Sequence, residues 1–107
     1  MALPPLHEGL ADKVPDSLAD LRGPAEGVVA LPPWLAWSGL TEFDLSQFKI
    51  RMEMYRIVIT TGRRVDYETY LNADLLMADW PLLRRGLGPA YRHAWENKLP
   101  LRRERVA

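Results

Sequence analysis

Cysteine is absent from the 107 residues, which excludes disulfides, zinc thiolates and thiol nucleophiles together. Histidine occurs twice, as His7 and His93. No run of about 18 apolar residues exists, so no segment reads as a membrane-spanning helix. The first residues carry Pro4, Pro5, His7 and Glu8 where a secretory leader needs a positive flank and a continuous apolar stretch. A cytoplasmic location is the expectation. Lysine is scarce: three lysines stand against eleven arginines, as a GC-rich coding bias would produce.

The composition is otherwise ordinary. A hydrophobic share of 48% and a charged share of 26% supply the apolar residues that a disordered chain lacks. The length fits one domain with one core. Six of the nine prolines fall within residues 1–33, so this stretch reads as a Pro-rich arm. A helical domain over 34–100 follows, then a basic tail over 101–107. A compact unit of roughly 65 residues is marginal by itself, which favours help from a partner or an oligomer.

Net charge is zero, yet residues 1–80 hold 7 basic and 12 acidic side chains, and residues 81–107 hold 7 basic and 2 acidic. The basic end has two readings. It is a solvated terminus, or it meets phosphate or an acidic surface.

Local signals mark the elements. Asp16 or Ser17 caps a short helix that Gly23-Pro24 stops. Pro32 to Gly39 reads as a single helical turn carrying Trp34 and Trp37. The strongest element runs from Asp44 to about Thr61, with Asp44 and Gln47 as a capping pair and Gly62 as the stop. Leu45, Phe48, Met52, Tyr55 and Ile59 form one apolar stripe of this helix, and Ile50, Met54, Ile57 and Val58 a second, nearly opposite. Both flanks therefore need cover. Beyond it, Val65 to Leu71 form a short helix, Asn72 caps residues 73–78, and Asp79 caps the next helix with Leu82, Leu83 and Leu87 inward. Gly88-Pro89 opens a last helix that Pro100 ends. The expected fold is all-α: a small bundle of one long central helix and several short ones behind a Pro-rich N-terminal arm. The alternative is α+β, with a hairpin over about 54–71 around Thr61-Gly62.

No constellation carries enzyme chemistry. His93 and Glu96 are three apart, but one such pair leaves a metal short of ligands. Ser17, Ser38 and Ser46 lack a nucleophile context. The carboxylate pairs Asp66 with Glu68 and Asp74 with Asp79 read as caps and solvated faces. Gly86-Leu87-Gly88-Pro89 has no preceding strand and no third glycine, and Pro89 lacks an amide hydrogen for phosphate.

The expected role is a non-enzymatic protein-interaction module, regulatory or adaptor in kind, bound to a protein partner or to itself. It needs no cofactor, metal or small-molecule substrate. Its expected interface residues are Trp34, Trp37, Phe48, Met52 and Tyr55, since aromatic anchors dominate interfaces. The second reading is a DNA-binding regulator or antitoxin-like protein. It would use the helices over 73–98, with nucleic-acid contacts at Arg84, Arg85, Arg92, Lys98, Arg102 and Arg103.

Overall fold

The computed structural model describes residues 9–36 and 39–101. Trp37, Arg102 and Arg103 lie outside the described residues, as does most of the basic tail. The chain is mostly helical, with a two-stranded antiparallel sheet. Its order is α1 (Leu10–Lys13), a 3-10 turn (Leu18–Asp20), β1 (Val28–Ala30), β2 (Glu42–Asp44), α2 (Phe48–Thr61), α3 (Arg64–Tyr70), α4 (Ala73–Leu83), a second 3-10 turn (Arg84–Gly86) and α5 (Pro89–Lys98).

This corrects the pure all-α expectation and fits the α+β alternative in part: an antiparallel pair of strands is present, but not over 54–71. That stretch is the end of α2, a break at Gly62 and Arg63, and then α3, while the sheet lies earlier in the chain. In β1 and β2, Val29 opposes Phe43, and both side chains are buried while their strand neighbours face outward or to the side. That period-two alternation is the signature of a half-buried ribbon. Between the strands, Pro32 O accepts from Leu35 N at 2.9 Å and Ala36 N at 3.0 Å. This is the single helical turn expected there.

The described part of the Pro-rich segment is core, not a free arm. Leu10, Val14, Leu21, Val29 and Leu31 join Phe43, Tyr55, Trp80 and Trp95 in one buried cluster. Arg22 and Gly23 donate backbone hydrogen bonds to Glu68 O and Leu71 O at 2.9 and 2.8 Å. A Cβ on Gly23 would stand 2.4 Å from the Tyr70 carbonyl carbon, so this approach requires glycine. Farther upstream, the Arg64 guanidinium donates to Asp12 O and Val14 O, and Lys98 Nζ donates to Ala11 O and Val14 O at 3.1 and 2.9 Å. Two cations thus satisfy the carbonyls at the C-terminal end of α1, which has no further turn to do so. Asp16 accompanies them, and Lys98, with help from Arg64, holds its carboxyl below the usual carboxylate range.

α2 starts four residues later than expected. Asp44 pairs with Val28 in the ribbon, which fixes an extended backbone there. Its carboxylate accepts instead from Ser46 N and Ser46 Oγ at 3.0 and 2.7 Å, an Asx turn ahead of the helix. Met54, Tyr55, Ile57, Val58 and Ile59 are all buried, so the C-terminal half of α2 is covered on both flanks by its own chain. Gly62 ends it as expected, and a Cβ there would meet Val58 O at 2.5 Å.

α4 packs on α2, joined by polar rungs. Tyr55 Oη accepts from Asn72 N at 3.0 Å. One turn earlier on α2, Arg51 Nε and Nη2 donate to both oxygens of Asp79 at 2.6 and 2.9 Å, while Nη1 donates to Leu45 O at 2.9 Å. Asn72 caps α4 as expected, accepting from Leu75 N at 3.1 Å. Asp79, expected as the cap of a separate helix, lies instead within a continuous α4 and is 4% exposed. Trp80 and Trp95 close the core, their centroids 6.5 Å apart, with Tyr67 edge-on to Trp95 at 4.9 Å. Each indole buries roughly 200 Å², worth on the order of 5 kcal/mol as an upper bound.

Two measurements check this packing. Asp79→Ala strands the Arg51 guanidinium without its carboxylate, and chemical denaturation is expected to show a loss of about 3 kcal/mol or more. Burial pushes the Tyr55 phenol up to about 12, and burial likewise raises Tyr67. The unfolded chain releases these protons near pH 10 and the folded chain keeps them. Stability is therefore full below about pH 10 and falls as pH rises towards the folded values. Tyrosinate absorbance is expected to show both phenols ionising only as the chain unfolds.

Candidate functional site

α4 has an inverted surface. At 100° per residue, Asp74, Met77, Ala78, Pro81 and Leu82 fall within one arc of about 140°, and all five are exposed. The buried side holds Leu76, Trp80 and Leu83 together with Asp79. A helix at a protein surface ordinarily turns its charges to water. α4 carries two charges, one drawn inward by Arg51 and the other, Asp74, at its first turn. The outward stripe beyond Asp74 is apolar.

Two hollows flank this stripe. One, of about 280 Å³, lies between α4 and the first half of α2, walled by Phe48, Met52, Leu82, Leu83 and Gly86. Lys49, Glu53 and Arg56 also line it. Glu53 accepts twice from Arg56 Nη2, at 2.6 and 2.9 Å, whereas Lys49 has no ion-pair partner among the described residues. The second hollow, of about 460 Å³, is lined by Asp74, Met77, Ala78, Pro81 and Leu101. Phe48 is 41% and Leu82 49% exposed, large apolar side chains standing beside a concavity. Leu82 is thus outward, contrary to the inward expectation, whereas Leu83 and Leu87 are buried as expected.

The expected interface residues divide. Phe48 and Met52 meet in the first hollow. Tyr55 does not belong with them: it is fully buried, and its hydroxyl is bonded to the Asn72 amide. The turn of α2 that carries it has already passed under α4. Trp34 is 45% exposed but sits elsewhere, with the Arg63 guanidinium 4.7 Å above its ring. The missed feature was the α4 stripe. Met77, Ala78, Pro81 and Leu82 recur at helical spacing, and the signal was hidden by breaking the helix at Asp79.

The basic candidates are partly committed inside the chain. Arg84 Nε donates to Glu96 Oε2 at 2.6 Å, and the same oxygen accepts from Trp80 Nε1 at 2.7 Å. Lys98 is held by Asp16 and the α1 carbonyls. Arg92 Nε is buried without a hydrogen-bond partner among the described residues. Arg85 is exposed and unpaired among the described residues.

Nor do titratable groups converge. Among the described residues no group of three or more His, Cys, Asp or Glu could hold a metal, and Glu96 is engaged by Trp80 and Arg84 rather than left for His93. Asp66 accepts from Arg63 N at 2.8 Å as the cap of α3. Asp74 and Asp79 lie on opposite sides of α4. Trp95 Nε1 is buried without a hydrogen-bond partner among the described residues, but Trp95 lines neither hollow. No helix among the described residues is long and apolar enough to cross a membrane. No protein-family model, curated protein or solved structure matches the chain.

Arg84 and Arg85 separate a structural from a surface role. Arg84→Ala is expected to destabilise the fold by roughly 1–3 kcal/mol, because it removes a charged hydrogen-bond donor from the Glu96 carboxylate. Arg85→Ala is expected to stay within about 0.5 kcal/mol. Thermal and denaturant melts of the two variants check the contrast.

Proposed function

We propose that this chain is a non-enzymatic protein-interaction module, a regulatory or adaptor subunit, that docks through the outer face of α4 and the hollow between α4 and α2. The observation that carries this reading is the outward apolar stripe from Met77 to Leu82, beside a concavity walled by Phe48 and Met52. Apolar side chains scattered singly over a surface need no explanation, but a contiguous stripe with hollows on both sides does. Covering an anchor such as Phe48 or Leu82 is worth about 2 kcal/mol where it becomes a hot spot.

The hollow itself supports docking over catalysis. Its charged lining consists of Lys49 and the Glu53–Arg56 pair, with no nucleophile and base in reach of each other. The nucleic-acid reading draws less support, because Arg84 and Lys98 hold internal contacts that phosphate would have to displace.

A photoreactive phenylalanine analogue at position 82 tests the module in cells. A protein adduct is expected at position 82 and not at position 28, where Val28 is exposed on the ribbon. Leu82→Asp is expected to abolish the complex while leaving the melting temperature within about 2 °C. Equal labelling at both positions, or a complex indifferent to Leu82→Asp, would overturn the reading.

A further inference from the structure

We infer that the partner seated on the α4 face is a second copy of this chain, related by a two-fold axis that passes near Ala78 and Pro81. The inference rests on the docking role proposed above and goes further in naming the occupant.

A two-fold interface must be complementary to itself, so whatever stands at one end has to fit what stands at the other. The α4 face has that property in charge. Asp74 sits at its N-terminal end, exposed and without an ion-pair partner among the described residues. Lys49 lines the hollow at the C-terminal end, beside Leu82, and is likewise exposed and unpaired. Between them the stripe is apolar. Rotating a second copy by half a turn about the middle of the stripe places each Lys49 against the other copy's Asp74. One geometric operation satisfies both charges twice.

Phe48 and Leu82 stand up at the Lys49 end. The larger hollow, about 460 Å³, runs along the stripe from Asp74 through Met77 and Ala78 to Pro81 and reaches Leu101. A net charge of zero adds no long-range repulsion between copies.

The test uses the full chain in sedimentation equilibrium at low salt, over a concentration range of about a thousandfold. A reversible dimer is expected. Lys49→Glu and Asp74→Lys each set like charges against each other at two contacts, so each is expected to weaken association by about tenfold or more. The combined variant, with the charges exchanged, is expected to return to within about threefold of the original. Because the chain lacks cysteine, Ala78→Cys provides a second readout. Two sulfurs near the axis can meet at disulfide distance, so air oxidation is expected to give a covalent dimer. Val28→Cys is expected to give none.

A chain that remains monomeric throughout overturns the inference. So do single reversals that weaken association with no recovery in the combined variant. A monomer that still yields a position-82 adduct with a different protein removes the second copy while leaving the docking role standing. A dimer unaffected by Leu82→Asp, with no adduct at position 82, removes both.

Discussion

The Arg51–Asp79 pair is the constraint on which the surface geometry depends. A guanidinium that reaches both carboxylate oxygens and the Leu45 carbonyl leaves little freedom to slide or rotate α4 on α2. Removing two charges from water offsets most of their attraction, so such a pair adds little to net stability beside the burial of Trp80 and Trp95. Its value lies in register. With Asp79 pinned, Asn72 falls opposite Tyr55, the hollow opens between Phe48 and Leu82, and Met77 to Leu82 are turned to solvent. A carboxylate buried at that position and an apolar stripe facing water are two sides of one rotation.

Much of the helical outline was legible from local chemistry. Gly62 ends α2, Asn72 caps α4 and Pro89 opens α5 because each acts on its own backbone within a turn. What could not be read locally depended on distant partners. Asp79 has the composition of a cap, and only Arg51, 28 residues earlier, makes it an interior residue. Asp44 resembles a helix start until the ribbon pairs it with Val28. The Pro-rich segment looked detached because its cover, α3 and α5, is supplied far downstream. Three-residue strands are too short for alternation to stand out, so β1 and β2 carried no signal.

The site was legible to the same degree and for the same reason. Phe48 and Met52 line the first hollow because the early turns of α2 are less covered than the late ones, with Phe48 exposed and Met52 half-buried against the core. Tyr55 shares their stripe in sequence, but a helix that enters the core partway along is exposed at one end and buried at the other. Periodicity reports the side of a helix and not the depth. Two residues of the set that resembled a phosphate-binding group are tied down, Arg84 to Glu96 and Lys98 to Asp16 and free carbonyls, contacts that spacing cannot reveal.

The grip of Lys98 on Ala11 and Val14 joins positions 87 and 84 residues apart. A closure of that span carries an entropic cost that is recovered only once both sides are already in place. The short helix at Leu10 therefore gains these two hydrogen bonds only where α5 is already in place. A four-residue turn that cannot persist by itself thereby reports, through its carbonyls, whether the far end of the chain has been assembled.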